Sequence, residues 1–359
     1  MRLFEKVERK KTYLRRALLA WYRRNARDLP WRRSGDPYRV WLSEILLQQT
    51  RVETALPYYK RLTEAFPTVR DLAAADEDGL LKLWEGLGYY NRARNLHKAA
   101  RLIVNEDRGG FPQTAEEWQR LAGVGRSTAN AIASIAFGEP VPVLDGNVKR
   151  VLARLFDIRR SIDGSGTLAE LWSLAQMLVA PRAPGDFNQA LMELGARVCI
   201  PKRPRCDKCP VRQECDARAR SRQGRLPVHR QKQPLPHHEL VAAAIEKNGR
   251  FLLGKRPAGG LLGGLWEFPS GRVARGESHH EALARVLRDE LGVKIKIGAL
   301  AASVNHAYSH FRITLHVYRC ALAAGRPRAR RYSEIKWIRR PEFARYAFCA
   351  AARSVSHLL

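Results

Sequence analysis

A helical amino-terminal domain followed by an α+β carboxy-terminal domain is the architecture that this sequence of 359 residues predicts. Three observations predict it. Up to about residue 215, apolar residues recur at three-to-four spacing in "VWLSEILLQQT", "EDGLLKLWEGLGYYNRARNLHKAARLI", "SIDGSGTLAELWSLAQMLV" and "DFNQALMELGARV". After Cys215, "DARARSRQGRLPVHRQKQPLPHHE" is polar and basic with three prolines, the composition of a linker. From Glu239 the texture changes to strict alternation and tight-turn signals. The expected organisation is a helical domain over 1–215, a linker over 216–238 and a smaller domain over 239–359, each domain long enough for its own core.

Within the first domain, a helix through "WLSEILLQQT" places Trp41, Glu44 and Gln48 on one side, with Glu44 at the edge of the apolar face. "LAGVGRSTANAIASIAF" reads as the centre of a helical hairpin spanning about 115–137, with Gly123 and Gly125 in the turn. Glycines let backbone approach a ligand closely, Ser127 or Thr128 is expected to cap the following helix, and amides at a helix start suit a phosphate. In "VPVLDGNVKRVLARLF", Asp145 precedes a helix through Val148, Val151, Leu152 and Leu155, where its plain use is as N-cap. Capping also keeps a carboxylate ionised.

The second domain opens on two apolar runs around Asn248-Gly249, a hairpin signal. "SHHEALARVLRDELG" begins with a Ser278…Glu281 capping box and stops at Gly292. "FRITLHVYRC" alternates, with Phe311, Ile313, Leu315 and Val317 on one face.

Composition narrows the partners. Sixty-four Lys and Arg against 35 acids give a formal charge of +29, spread through periodic segments, and such a field favours a polyanion, nucleic acid above all. No apolar run approaches the ~18–20 residues that span a bilayer, and the start "MRLFEKVERKKTYLRR" carries charge where a signal peptide needs an apolar stretch. A cytoplasmic chain with reduced thiols is therefore expected. Cys320 and Cys349 stand alone and read as buried small hydrophobes. The other four cysteines, Cys199, Cys206, Cys209 and Cys215, form C-x6-C-x2-C-x5-C. Zinc sites usually pair two distant C-x2-4-C knuckles or use histidine; one compact loop of four thiolates favours an iron–sulfur cluster over zinc. Lys202, Arg203, Arg205 and Lys208 between these ligands either present cations to phosphate or form a solvated face.

The hairpin with G-V-G, an aspartate about twenty residues later and the cysteine loop closing the domain together resemble the helix-hairpin-helix DNA glycosylases, in the iron–sulfur branch that includes endonuclease III and the adenine DNA glycosylases. "WLSEILLQQT", "GLGYYNRARNL", "GVGRSTANAI", "VLDGNVKRVLARL" and "FNQALMELGARVC" are similar to the adenine-specific members, and the resemblance runs over nearly the whole chain. It implies a [4Fe-4S] cluster on Cys199, Cys206, Cys209 and Cys215. It also implies a monomer acting on double-stranded DNA that holds adenine mispaired with 8-oxoguanine or guanine. The lyase members carry lysine after "GVGR"; here that position is Ser127, which cannot form an imine, so base removal without strand cleavage is expected. Some members have tyrosine there, an aromatic hydroxyl contact that this chain lacks.

The chemistry needs a proton for the leaving adenine and an anion beside the sugar cation, tasks for two carboxylates in unlike environments. The resemblance assigns the proton donor to Glu44, the stabilising carboxylate to Asp145 and an orienting role to Asn147. It places Trp31, Arg32, Gln189 and Ser127 around the flipped base, and Gln49, Leu87 and Tyr89 beside the lesion in the opened duplex, with Gly123 and Gly125 near the phosphates. Plainer readings are core packing for Trp31 and Tyr89 and a surface position for Glu44.

"GRVARGESHHEALARVLRDELGV" has the spacing of a Nudix box, with Gly271, Glu277, Arg285, Asp289, Glu290 and Gly292 in register. The metal-binding glutamate after the arginine is Val286 here, so a Nudix-like fold without pyrophosphatase activity is expected. The resemblance gives this domain the recognition of 8-oxoguanine, through Tyr308, Ser309 and His310 of "NHAYSHF". Three rivals are an endonuclease-III-like lyase, a non-catalytic damage-sensing DNA binder and a Nudix pyrophosphatase.

Overall fold

The computed structural model describes residues 3–106, 110–231 and 233–357. The chain forms helices α1 (Leu3–Asn25), α2 (Pro37–Leu47), α3 (Val52–Ala65), α4 (Val69–Ala74), α5 (Glu77–Leu83), α6 (Asn91–Glu106), α7 (Ala115–Gln119), α8 (Arg126–Ala136), α9 (Gly146–Leu155), α10 (Ser165–Leu178), α11 (Pro184–Arg197) and α12 (Asp216–Ala219). Strands β1 (His237–Lys247), β2 (Arg250–Lys255), β3 (Trp266–Glu267) and β4 (Ser270–Arg272) follow, then α13 (His279–Leu291), β5 (Lys294–Ala307), β6 (Arg312–Ala324), β7 (Glu334–Arg339) and α14 (Ala350–Ser356). Two compact units emerge: Met1–Ala73 with Lys98–Lys232, and Ala74–His97 with Gln233–Leu359.

The first unit is helical. In α1, Val7, Leu14 and Leu18 repeat at helical spacing and pack with Val148, Val151 and Leu152 of α9, Leu171 and Leu174 of α10, and Leu191 and Leu194 of α11. Lys10 lies in the same buried stripe, and burial of an ammonium is tolerable only with partners. It donates to Asp216 Oδ1 at 2.8 Å and to the Glu214 carbonyl at 2.7 Å, which ties α1 to the segment after the cysteine loop. Two glycines let α11 approach its neighbours closely. A Cβ on Gly185 would stand 2.6 Å from the Ser134 carbonyl oxygen, and one on Gly195 would stand 2.7 Å from Asn147 Cβ. Within the stretch expected to join the domains, Leu226 is buried and the Val228 carbonyl accepts from the Ile162 amide at 3.0 Å.

The second unit centres on a mixed sheet with order β3-β2-β1-β6-β5, to which β4 adds on β1 and β7 on β2. Strands β1 and β6 run parallel; the other pairs are antiparallel. The β1–β2 turn is made by Asn248 (φ 52°) and Gly249 (φ 69°), both in the left-handed region that such a hairpin requires. Helix α13 carries the expected Ser278–Glu281 capping box and ends at Gly292 with φ 70°. Ile313, Leu315 and Val317 of β6 are buried, as are Cys320 and Cys349. Among the described residues no helix is long and apolar enough to cross a membrane.

Candidate active site and cysteine loop

Among the described residues of the first unit, Glu44 and Asp145 are the two acids whose carboxyls are raised by burial. Glu44 rides on α2, whose apolar faces are held by Trp41, Leu42, Ile45 and Leu46. Burial pushes its carboxyl up to about 7; the charge of Asp145 adds to this and Arg32 opposes it. Asp145 caps α9, accepting from the Val148 amide at 2.7 Å and from Asn147 Nδ2 at 3.0 Å. Burial raises the Asp145 carboxyl too, while these hydrogen bonds and Arg150 pull it back toward the charged form. The two groups therefore sit in unlike settings: Asp145 accepts hydrogen bonds from the α9 cap and Asn147, whereas burial holds the Glu44 carboxyl up at about 7.

Asp145 is positioned from both sides along the chain. Ser127 Oγ accepts from the Leu144 amide at 3.2 Å. Asn188, fully buried on α11, accepts from the Val143 amide at 3.1 Å and donates to the Val141 carbonyl at 2.8 Å. Behind it, Asn147 Oδ1 accepts from Arg150 Nη2 at 2.9 Å.

Trp31 is buried, its ring edge-on to Tyr59 at 5.0 Å. Arg32 donates to Gln189 Oε1 at 3.0 Å and to Glu193 Oε2 at 2.9 Å. Glu193 is 1 % exposed yet charged: burial pushes its carboxyl up, but Arg27 and Arg32 more than reverse that and hold it below the ordinary value. Sequence reasoning missed Glu193, because its partners Arg27 and Arg32 lie 166 and 161 residues away.

The hairpin is α7–α8, with Gly123 at φ 78° in the turn. One expectation is corrected: neither Ser127 nor Thr128 caps α8. Gly125 is the N-cap without a side-chain bond, because both hydroxyls are turned to other partners. Ser127 serves the Leu144 amide, and Thr128 Oγ1 accepts from Gln48 Nε2 at 3.1 Å, the same amide group that reaches the Gly123 carbonyl.

Gln49 is exposed with φ 56°, in the left-handed region, where a non-glycine residue is strained and marks a functional candidate. Tyr89 shares both properties (φ 49°, 39 % exposed) but falls in the second unit. Leu87, expected beside it, is buried, so exposure favours Tyr89 and Gln49 as residues presented to a ligand.

Cys199, Cys206, Cys209 and Cys215 all line one cavity, together with Arg154, Arg205 and Arg218. Three ligand atoms of histidine, cysteine or acid come within 4.8 Å of one another only at Glu239, His279 and His316 among the described residues, so no three of the four sulfurs lie mutually within that distance. A single tetrahedral zinc holds its sulfurs about 3.8 Å apart, from Zn–S of about 2.3 Å. An all-thiol donor set lining a shared cavity fits a cluster. Burial pushes the Cys209 thiol up to about 12 and raises Cys206 and Cys215, so only a bound metal would keep them as thiolates at neutral pH. Helix α9 joins this loop to Asp145. Arg150 donates to the Cys199 carbonyl at 2.8 Å, and Arg154 donates to the carbonyls of Ile200 and Pro201 at 2.7 and 2.8 Å. Neither arginine stood out in the sequence, since carbonyl partners some 50 residues away leave no local pattern. Lys202, Arg203, Arg205 and Lys208 are exposed.

In the second unit, Tyr308 and Phe311 close a turn through the Tyr308 amide and the Phe311 carbonyl at 2.9 Å, with Ser309 and His310 exposed at its tip. Ser309 Oγ donates to Tyr89 Oη at 2.5 Å. Val286 is buried against Gly271, where an added Cβ would lie 2.4 Å from a valine methyl. The neighbouring Glu277–Arg285 ion pair of the box is present at 2.7 Å.

Residues 42–177 match the family model described as HhH-GPD superfamily base excision DNA repair protein, and residues 240–358 match the NUDIX domain model. Among solved structures, the chain is similar to a thermostable thymine-DNA glycosylase (TM-score 0.53, 29 % identity, 59 % of this chain and 98 % of that one). It is also similar to an endonuclease III in a non-covalent DNA complex (TM-score 0.50, 25 % identity, 59 % and 97 %). Fold and site define the class: a base excision DNA glycosylase of the helix-hairpin-helix type, carrying a NUDIX domain. Curated relatives narrow it. The adenine DNA glycosylase of Rattus norvegicus is 39 % identical over 399 residues, covering 96 % of this chain and 77 % of the relative. The Homo sapiens enzyme is 39 % identical over 407 residues (96 % and 73 %), and that of Buchnera aphidicola from Acyrthosiphon pisum 36 % over 301 (84 % and 83 %). The chain belongs to the adenine DNA glycosylase family.

Proposed function

We propose that this adenine DNA glycosylase removes adenine standing opposite 8-oxoguanine or guanine in duplex DNA, as a cytoplasmic monomer and without cutting the strand. Adenine must first leave the stack, with Gln49 and Tyr89 at the opened duplex and Trp31, Arg32, Gln189 and Ser127 around the extruded base. Glu44 gives its proton to adenine N7. The C1′–N9 bond then breaks with its electron pair on the base, and the charge left on the sugar is met by the Asp145 carboxylate. Water adds to C1′ and loses a proton, so the products are adenine and an abasic site. Asn147 fixes the Asp145 carboxylate through its Nδ2 bond.

The observation that supports this most is the division of labour between Glu44, held up at about 7, and Asp145, held as an acceptor by the α9 cap. Ser127 supports base removal alone, since a hydroxyl forms no imine with the sugar. The four cysteines would hold a [4Fe-4S] cluster that supplies rigidity to a basic loop, with Lys202, Arg203, Arg205 and Lys208 directed to phosphate. For the chain as a whole we take 1–215 as the excision domain, 216–238 as the connection and 239–359 as the lesion-reading domain, with Tyr308, Ser309 and His310 contacting 8-oxoguanine. Val286 in place of a ligand leaves that domain without pyrophosphatase activity.

The experiment is Glu44→Gln in parallel excision and binding assays on an adenine:8-oxoguanine duplex. The reading expects excision to be lost with binding retained; retained excision would reject Glu44 as the proton donor.

A further inference from the structure

We propose that Glu239, His279 and His316 form a binding site for one divalent transition-metal ion of the zinc class, a site that the glycosylase reading neither uses nor requires. Their three ligand atoms lie within 4.8 Å of one another. The fold brings them together from three elements. In the parallel β1–β6 pair, Glu239 stands opposite Thr314 and Val241 opposite His316, so Glu239 and His316 share one face of the sheet two positions apart. His279 is the first residue of α13, directly after the Ser278 cap, and its ring lies 4.3 Å from that of His316.

Each imidazole has its other nitrogen occupied. His279 Nδ1 is 3.0 Å from Tyr318 Oη, and His316 Nδ1 is 3.2 Å from Ser303 Oγ. A hydroxyl that accepts from Nδ1–H fixes the tautomer with its lone pair on Nε2, the arrangement seen when the second nitrogen of a metal-binding histidine is anchored. His279 Nε2 stands 3.6 Å from Glu239 Oε2. His316 Nε2 is buried and has no hydrogen-bond partner. An ion on Glu239 Oε2 and the two Nε2 atoms supplies the missing partner.

The donor set decides the class of ion. Two imidazoles and one carboxylate suit zinc and its neighbours, whereas calcium and magnesium take oxygen ligands. Zinc–donor bonds of about 2.0–2.2 Å put tetrahedral donors roughly 3.4 Å apart, close to the 3.6 Å already between His279 and Glu239. Three protein ligands leave a fourth position for water. The site is distinct from the metal position of a Nudix box, whose Asp289 and Glu290 lie ten and eleven residues further along α13, about 15 Å at 1.5 Å per residue. A bound ion would pin the start of α13 to β1 and β6.

Zinc chloride, titrated into the full-length protein with its cysteine loop as isolated and against a chromophoric chelator, tests this. Wild type should take up one more equivalent than His279→Gln or His316→Ala, and Tyr318→Phe should weaken that equivalent by roughly 10–100-fold. His357→Asn, an exposed histidine outside the set, should keep the wild-type isotherm. Should His316→Ala fail to fold, Glu239→Gln on the strand surface replaces it. Equal zinc uptake by all these chains, or loss of the equivalent in His357→Asn as well, overturns the site.

Discussion

Asp145 adds its charge to burial in holding the Glu44 carboxyl up at about 7, while the α9 amides and Asn147 draw Asp145 itself toward the charged form. Burial thus raises both carboxyls, while the hydrogen bonds of the α9 cap oppose that rise at Asp145. This asymmetry is the physical core of the proposed mechanism, and it makes the site's pH behaviour predictable.

In the proposed mechanism the proton on Glu44 sets the excision rate, and the same proton bears on stability. Because the folded value lies above the ordinary 4.5, its stabilising contribution is fully present below about 4.5 and is lost as pH rises through 7. Glu44→Gln removes that loss, so the variant should gain on wild type between pH 5 and 8, by up to roughly 3 kcal/mol. Urea midpoints at pH 5, 6, 7 and 8 check the stability. Single-turnover excision by wild type should decline above pH 7.

Asp145→Asn separates charge from capping. Asparagine caps as well as aspartate, so α9 should start normally and the melting temperature should change little. Loss of the anion should slow excision by roughly 10²–10³-fold, the scale of removing one preorganised electrostatic partner. A large drop in melting temperature would instead assign Asp145 a purely structural role.

Close approach of α11 to α9 makes Gly195 a sensitive contact behind the site. In Gly195→Ala the new methyl meets Asn147 Cβ at 2.7 Å and the Asn147 carbonyl oxygen at 3.1 Å. We expect a cost of roughly 1–3 kcal/mol in denaturant unfolding and slower excision, because Asn147 orients Asp145. Gly224→Ala, with nothing within 4 Å, is the control and should be silent in both assays.

The turn at Tyr308–His310 should govern discrimination rather than chemistry. Ser309 Oγ now donates to Tyr89 Oη, and in the proposed complex it would turn to the oxidised base. Ser309→Ala and Tyr308→Ala should reduce the preference for adenine opposite 8-oxoguanine over adenine opposite guanine. The excision rate at saturating enzyme opposite guanine should stay near wild type.

Local signals carried much of this structure. The Asp145 cap, the Ser278–Glu281 capping box, the Gly292 stop and the Asn248-Gly249 turn each depend on a few adjacent residues, and each formed as read. Ser127 shows where such reading fails: a hydroxyl at a helix start has a local use, but the Leu144 amide, seventeen residues on, took it instead. Lys10, Glu193 and Arg154 were opaque for the same reason. Their partners lie far along the chain, and a charged residue in an apolar stripe declares no partner in advance. Clustering of Ala74–His97 with Gln233–Leu359 is likewise a matter of packing between distant segments, which periodicity does not encode.

The most direct test of the central claim is single-turnover cleavage of a duplex holding one adenine opposite 8-oxoguanine, divided into samples with and without hot alkali. Strand breaks that appear only after alkali are the expected result, since base loss without lyase chemistry leaves an intact abasic strand. Breaks without alkali, or no product under either treatment while the duplex remains tightly bound, would contradict it.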